Sequence, residues 1–181
     1  MKLIIASDIH GSSYYCDLLV KIFNKENPDK LILLGDILYH GPRNDLPYNY
    51  APKSVIEMLN NISDKIICIR GNCDAEVDQM VLNFPLSDTY KKIIVDGNSF
   101  VLTHGHIYNE IKFDVIDGDR VMLNGHTHIP LYNELNGFVL INPGSVSIPK
   151  ANSPHSFILY NDGNFYWKNL ETNETYLEYK L

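Results

Sequence analysis

Five short apolar runs in this 181-residue chain each end in Asp, Asn or His, and that regularity limits the fold more than any other feature. "KLIIAS" leads to Asp8 and His10, "KLILL" to Gly35 and Asp36, and "KIICIR" to Gly71 and Asn72. "SFVLT" leads to His104 and His106, and "VMLN" to Gly125, His126 and His128. Short continuous apolar runs of this kind read as strands buried on both faces. In α/β sheets, ligands bind beyond the carboxyl ends of the strands. Strand ends from distant parts of the chain are therefore expected to meet at one place.

The intervening segments support a layered fold. A helix is predicted from about Tyr14 to Asn27, capped by Ser12 or Ser13, with Leu18, Leu19, Ile22 and Phe23 as its apolar stripe and Pro28 beyond its end. A second helix begins near Pro52 and carries Val55, Ile56, Leu59 and Ile62. The second half places Asp-Gly or Asn-Gly between strand-like runs, in "KKIIVDGNSFVLTH", "LYNELNGFVLINP" and "SFILYNDGNFYWKNL". That is the strongest short-range hairpin signal. A βαβαβ half followed by a hairpin-rich half fits two packed sheets with helices outside. No repeat or linker interrupts residues 1–181, so one domain is expected.

Composition excludes several classes. A formal net charge of −7 and a pI of about 5.4 give no basic surplus for nucleic acid. The three cysteines, Cys16, Cys68 and Cys73, lie in or beside apolar segments, which argues against a disulfide framework. The apolar run at the N-terminus is too short for a signal peptide, and nothing approaches the roughly 18 apolar residues of a membrane span. The expectation is a reduced, cytoplasmic protein without membrane partners.

Of seven histidines, five sit at the strand ends; only His40 and His155 lie elsewhere. Imidazole, carboxylate and amide oxygen together form a borderline-to-hard donor set suited to Mn, Fe or Zn. Asp8 with His10, and His126 with His128, have the i, i+2 spacing that puts side chains on one side of an extended segment. Seven donors are too many for one tetrahedral ion. They suit two metals about 3.5–4 Å apart with a shared carboxylate.

The ordered set "SDIHG", "LLGDIL", "IRGNCD", "THGH" and "NGHTH" resembles the calcineurin-like metallophosphoesterases, in particular their small bacterial phosphodiesterases. The resemblance spans nearly the whole chain, "HGPRN" and "NPGS" included. It implies a four-layer αββα sandwich of two mixed β-sheets and a dinuclear centre. Asp8, His10 and His128 would bind one metal, Asn72, His104 and His126 the other, and Asp36 both. Asn72 and His104 would also be the catalytic residues, and a water or hydroxide bridging the metals the nucleophile. The implied cofactors are two divalent ions, manganese first, with zinc or iron as alternatives. The implied substrate is a small phosphodiester. A homodimer or tetramer is compatible with the aromatic C-terminus.

Other residues carry two readings each. Arg43, in the long loop after the Asp36 strand, is a candidate phosphate contact or a solvated surface residue. His106 is a substrate-side group or loop filler. Asp74 orients a neighbouring ligand or caps a helix starting near Ala75. Cys73, a candidate substrate-side residue, stands where many members of the family carry a His that serves leaving-group departure or phosphate binding, so a proton donor to the leaving group is less assured there. That favours diesters with fairly acidic leaving groups. A cysteine phosphatase would need Arg six positions after its nucleophile, but Ile22, Asp74 and Gln79 follow the three cysteines at that distance. A non-catalytic scaffold of the same fold, like the retromer subunit, is the competing class. Its metal site is degraded, whereas all seven donor positions are filled here.

Overall fold

The computed structural model of the chain describes residues 1–86, 88–108, 119–135 and 137–181. The first half alternates as expected: β1 (Lys2–Ala6), α1 (Ser13–Glu26), β2 (Lys30–Leu33), α2 (Pro52–Asn60) and β3 (Ile66–Cys68). Ser12 caps α1, and Asn27 ends it in the left-handed conformation. The remaining strands are β4 (Tyr90–Val95), β5 (Asn98–Thr103), β6 (Asp119–Leu123), β7 (Leu131–Leu135), β8 (Phe138–Asn142), β9 (Ser156–Asn161), β10 (Asn164–Asn169) and β11 (Thr175–Lys180).

Two mixed sheets result. One has the order β11-β10-β9-β1-β2-β3, the other β4-β5-β6-β8-β7. The three Asp-Gly or Asn-Gly signals fall between antiparallel neighbours, β4/β5, β7/β8 and β9/β10. At two of these turns both central residues have positive φ, Asp96 (49°) with Gly97 (82°) and Asp162 (46°) with Gly163 (83°). That conformation matches the right-handed twist of the flanking strands. The hairpin pattern hid the middle of the second sheet, where β5, β6 and β8 run parallel. Parallel neighbours need crossovers. Most of the β5-to-β6 crossover, 109–118, lies outside the described residues.

Alternation along β1 sorts the core. Ile4 and Ala6 face α1 and α2, packing with Leu19, Phe23, Val55 and Leu59. Leu3 and Ile5 face the other sheet, packing with Phe100, Leu102, Val121 and Trp167. The two helices thus cover one sheet, and the sheets bury their inner faces against each other. A smaller group, Val101, Met122 and Leu140, lies on the far face of the second sheet. Among the described residues, no helix is long and apolar enough to cross a membrane.

Trp167, the chain's only tryptophan, is fully buried between the sheets, and its indole N–H donates to the Asn142 carbonyl (2.7 Å). It therefore reports on the inter-sheet layer. Leu102→Ala, in the same layer, is expected to lower stability by about 2–5 kcal/mol, read from Trp167 fluorescence during urea unfolding. A loss below about 1 kcal/mol would contradict this packing.

Candidate metal centre

The loops that follow β1, β2, β3, β5 and β6 meet at one end of the two sheets. Main-chain bonds join them. The Asp8 N–H donates to Gly35 O (3.1 Å), the His10 N–H to Asp36 O (2.9 Å), and the Gly11 N–H to Ile37 O (2.8 Å). Across the sheets, the His126 N–H donates to Asp8 Oδ2 (3.1 Å) and the Gly125 N–H to His104 O (3.0 Å). Little room is left between the segments. A Cβ on Gly35 would lie 2.6 Å from Gly71 N, and one on Gly125 would lie 2.8 Å from Asp8 Oδ2.

Five of the seven candidate donors sit in the left-handed region: Asp8 (φ 59°), His10 (49°), Asp36 (56°), His126 (66°) and His128 (61°). Non-glycine residues in such regions cost on the order of 1–3 kcal/mol each and persist only where surrounding contacts enforce them. Here the contacts are visible. The Asp8 carbonyl accepts from Ser145 Oγ (2.9 Å) and Ser147 Oγ (3.1 Å). Asn142 Nδ2 donates to Gly125 O (2.8 Å) and Thr127 Oγ1 (3.1 Å), fastening the segment that carries His126 and His128. This is the work of the "NPGS" motif, whose Asn142 ends β8, and of Ser147 just after it.

The imidazoles are oriented from behind. His10 Nδ1 lies 2.7 Å from Tyr39 O, His104 Nδ1 2.6 Å from Leu34 O, and His128 Nδ1 2.6 Å from Ile148 O. A carbonyl oxygen only accepts, so each Nδ1 carries a proton, and each ring in its neutral form offers Nε2 as a lone pair. Those Nε2 atoms converge. His10 Nε2 and His128 Nε2 are 3.3 Å apart, His128 Nε2 is 3.2 Å from Asp8 Oδ1, and His104 Nε2 is 3.3 Å from Asp36 Oδ2. His10 Nε2 is also 3.7 Å from Asp36 Oδ2. Asp8 Oδ1 is buried without a hydrogen-bond partner. Lone pairs facing lone pairs and carboxylates describe a site shaped for cations. Among the described residues three groups of donors lie mutually within 4.8 Å: Asp8 with His10 and His128, Asp8 with Asp36 and His104, and His10 with Asp36 and Cys73.

The electrostatics agree. Burial alone would push the Asp8 carboxyl up, yet contact with His10 and His128 holds it well below the usual carboxylate range. Asp36 is lowered in the same way: burial opposes, and His104 prevails. Burial would lower His104, but Asp36 and Asp8 bring it up to about 9. His10 is raised, with Asp8 overcoming its burial. The carboxylates thus draw positive charge onto their neighbours.

Asn72 and His126 stand at the margin. Asn72 Oδ1 is 3.1 Å from His104 Nε2, and the His126 ring is 5.1 Å from that of His104, centroid to centroid. Burial, then the neighbouring His104, lowers His126. His106 packs edge-on to His104 at 5.3 Å with a buried Nδ1 that has no partner among the described residues, and burial pushes it down to about 4. The Cys73 N–H donates to Asp36 Oδ1 (2.8 Å), while burial and Asp36 push its thiol up to about 12. A thiol so hard to ionise is a poor nucleophile. His40 and His155 lie apart from the donor set: His40 packs edge-on to Tyr39 and Tyr50, and His155 stacks on Tyr15 at 3.8 Å.

Asp74 does not cap a helix. Residues Glu76–Met80 form a short 3-10 turn, and the Ala75 N–H is taken by Asp78. Asp74, 4% exposed, instead accepts three main-chain N–H groups, from Asp36 (2.8 Å), Gly71 (2.7 Å) and Ile37 (2.7 Å). Burial raises its pKa, and these bonds pull it back.

A cleft of about 600 Å³ opens over the donors, lined by Arg43, Asn44, Cys73, Thr127 and Lys150 besides Asp36, Asn72, His126 and His128. Lys150 was not foreseen, because it belongs to no donor pattern and follows the apolar end of "SVSIP".

The sequence profile of the calcineurin-like phosphoesterase superfamily domain matches residues 1–162. A phosphodiesterase of Escherichia coli K12, YfcE, is 43% identical over 147 residues, covering 81% of this chain and 80% of the relative. The solved structure of the E. coli phosphoesterase Yfce superposes with a TM-score of 0.96 at 38% identity, covering 99% of both chains. Vps29 of Entamoeba histolytica, at 16% identity and a TM-score of 0.66 over 99% of both chains, shares the fold.

Asp74 yields a test of the loop architecture. Asp74→Asn replaces an acceptor-only group with one bearing N–H donors, so at least one buried N–H loses its partner. Stability is expected to fall by about 2–4 kcal/mol, and Mn²⁺ affinity by about 10–100-fold. Urea unfolding of the metal-free protein and a metal titration measure the two effects. Unchanged affinity would show that Asp74 does not position the donors.

Proposed function

The chain belongs to the calcineurin-like phosphoesterase superfamily, and from that premise we propose that it is a dinuclear metal-dependent phosphodiesterase. The observation that carries the reading is the set of three buried imidazoles whose Nδ1 atoms are committed to main-chain carbonyls and whose Nε2 atoms converge with Asp8 and Asp36. Asp8, His10 and His128 would hold one cation, Asn72, His104 and His126 a second, and Asp36 would be shared. Manganese is the first choice, since a nitrogen and oxygen donor set without thiolate suits it. When bound, two divalent ions activate water and stabilise charge on the phosphoryl oxygens.

The chain's own groups set the rest. The Nδ1 anchors fix the tautomer and aim of each ring, so the donors need no rearrangement to accept a cation. Asn72 contributes a neutral oxygen, which leaves the centre more positive than a third carboxylate would. That excess favours an anionic substrate on a chain with net charge −7. Cys73 puts a thiol where many members of the family carry an imidazole, and a thiol is the weaker proton donor near neutral pH. The reading therefore favours diesters whose leaving groups depart as anions. No observation in the structure favours a scaffold role over catalysis.

Hydrolysis of bis(4-nitrophenyl) phosphate is expected to require Mn²⁺, to stop on chelation and to return on metal addition. Asp36→Asn should lower kcat by at least about 100-fold, the scale of losing a group that stabilises transition-state charge, with the fold retained by circular dichroism. Activity indifferent to chelator would rule out metal dependence.

Cys73→His supplies an imidazole beside Asp36. It should raise kcat for esters with alkyl leaving groups by about 100-fold or more, the lower end of general acid catalysis, and change 4-nitrophenyl ester turnover much less. Equal effects on both substrate classes would remove leaving-group protonation as the explanation.

A further inference from the structure

The cleft holds two cations with no charge to answer. Arg43 and Lys150 line it from different loops, one after β2 and the other after β8. Neither side chain has a hydrogen bond or an ion pair among the described residues, and both line the one cleft that opens over the donors. Both are exposed at the rim, while Asp8, His10, Asp36, His104 and His128 are buried on the floor.

The main chain carrying these cations is fastened. The Lys150 N–H donates to His128 O (3.2 Å), and the Lys150 carbonyl accepts from Ser153 Oγ (2.7 Å) and Ser153 N–H (3.1 Å). Arg43 follows Gly41 and Pro42 in a turn closed by Asn44 Nδ2 on His40 O (2.8 Å). The Lys150 turn is therefore tied to a candidate metal donor, so the rim keeps its place relative to the floor.

A phosphodiester carries one negative charge, and the cationic centre on the floor accounts for it. Two unanswered cations at the rim are then in excess for a diester with uncharged arms. We propose that Arg43 and Lys150 clamp a second anionic group, so that the preferred substrates are phosphodiesters bearing another phosphate. This rests on the phosphodiesterase reading and names its substrate class. A cavity of about 600 Å³ is large enough to hold a nucleotide-sized molecule. Arginine offers a planar fork and lysine a point charge, and both suit phosphate.

The test compares thymidine 5′-(4-nitrophenyl phosphate) with the same compound phosphorylated at the 3′ position, under Mn²⁺ at low salt. The wild type should show kcat/KM about 10-fold higher or more for the phosphorylated compound, chiefly through KM, and the advantage should shrink with added salt. Lys150→Ala and Arg43→Ala should each reduce that ratio by about 3-fold or more, Lys150→Arg should keep it, and Lys150→Glu should bring it to one or below. Calorimetry on the Asp36→Asn protein gives a readout free of turnover. Thymidine 3′,5′-bisphosphate should bind more tightly than thymidine 5′-phosphate, and Lys150→Ala should erase the difference. An active wild type with a ratio near one, or a ratio unmoved by Lys150→Ala, overturns the clamp and leaves the phosphodiesterase reading standing. A metal-loaded wild type that cleaves neither compound overturns both.

Discussion

Asp8 and Asp36 are buried anions, and the molecule is organised around the positive charge they require. An ionised carboxylate costs several kcal/mol to bury unless it is paired. Here the pairing groups are imidazoles, and their outer nitrogens are already bonded to main-chain carbonyls. The inner nitrogens cannot turn away. The carboxylates raise both His10 and His104 despite burial, which shows how strongly this pocket favours positive charge. Metal cations would meet that demand fully. The strand-end placement and the left-handed main chain of five donors both follow from bringing these groups together.

Much of this was legible in the sequence because it is written locally. Apolar runs, the Ser12 cap and the Asp-Gly turns each depend on a few neighbouring residues. The i, i+2 spacing predicted a shared direction, and Asp8 Oδ1 and His10 Nε2 lie 3.6 Å apart. The route differs, since Asp8, His10, His126 and His128 adopt left-handed rather than extended conformations. What the sequence concealed depends on partners far along the chain. The bond from Ser145 to the Asp8 carbonyl spans 137 residues, and that from the Asp36 N–H to Asp74 spans 38. No spacing rule marks such a partner. Lys150 escaped for the same reason, since its place in the cleft comes from the fold. The parallel pairing of β5, β6 and β8 was hidden because the hairpin turns at either side are the louder signal.

Asp74 shows why a residue with two plausible local jobs needs the fold to decide. An acidic residue before a turn reads naturally as a cap. Three main-chain N–H groups from two loops instead converge on its carboxylate. It lies beside Asp36 as a third buried carboxyl group and fastens the main chain of both loops. Cys73 is the complementary case. Its N–H anchors Asp36, so the main chain at position 73 serves the donor set whatever side chain it bears.

Strain and preorganisation are linked in this site. Left-handed histidines and aspartates are costly, and a floppy apo site would relieve that cost by letting the loops relax. The bonds from Asp74, Ser145, Ser147 and Asn142 prevent it, because each ties a donor loop to a different part of the chain. A cation that arrives at donors already held in place loses little affinity to ordering them. The inter-sheet core supplies the rigidity: the Trp167 N–H bonds the Asn142 carbonyl while the Asn142 side chain holds the loop of His126 and His128. One residue therefore connects the packing of the two sheets to the aim of the metal donors, and stability of the layer becomes a condition of the chemistry above it.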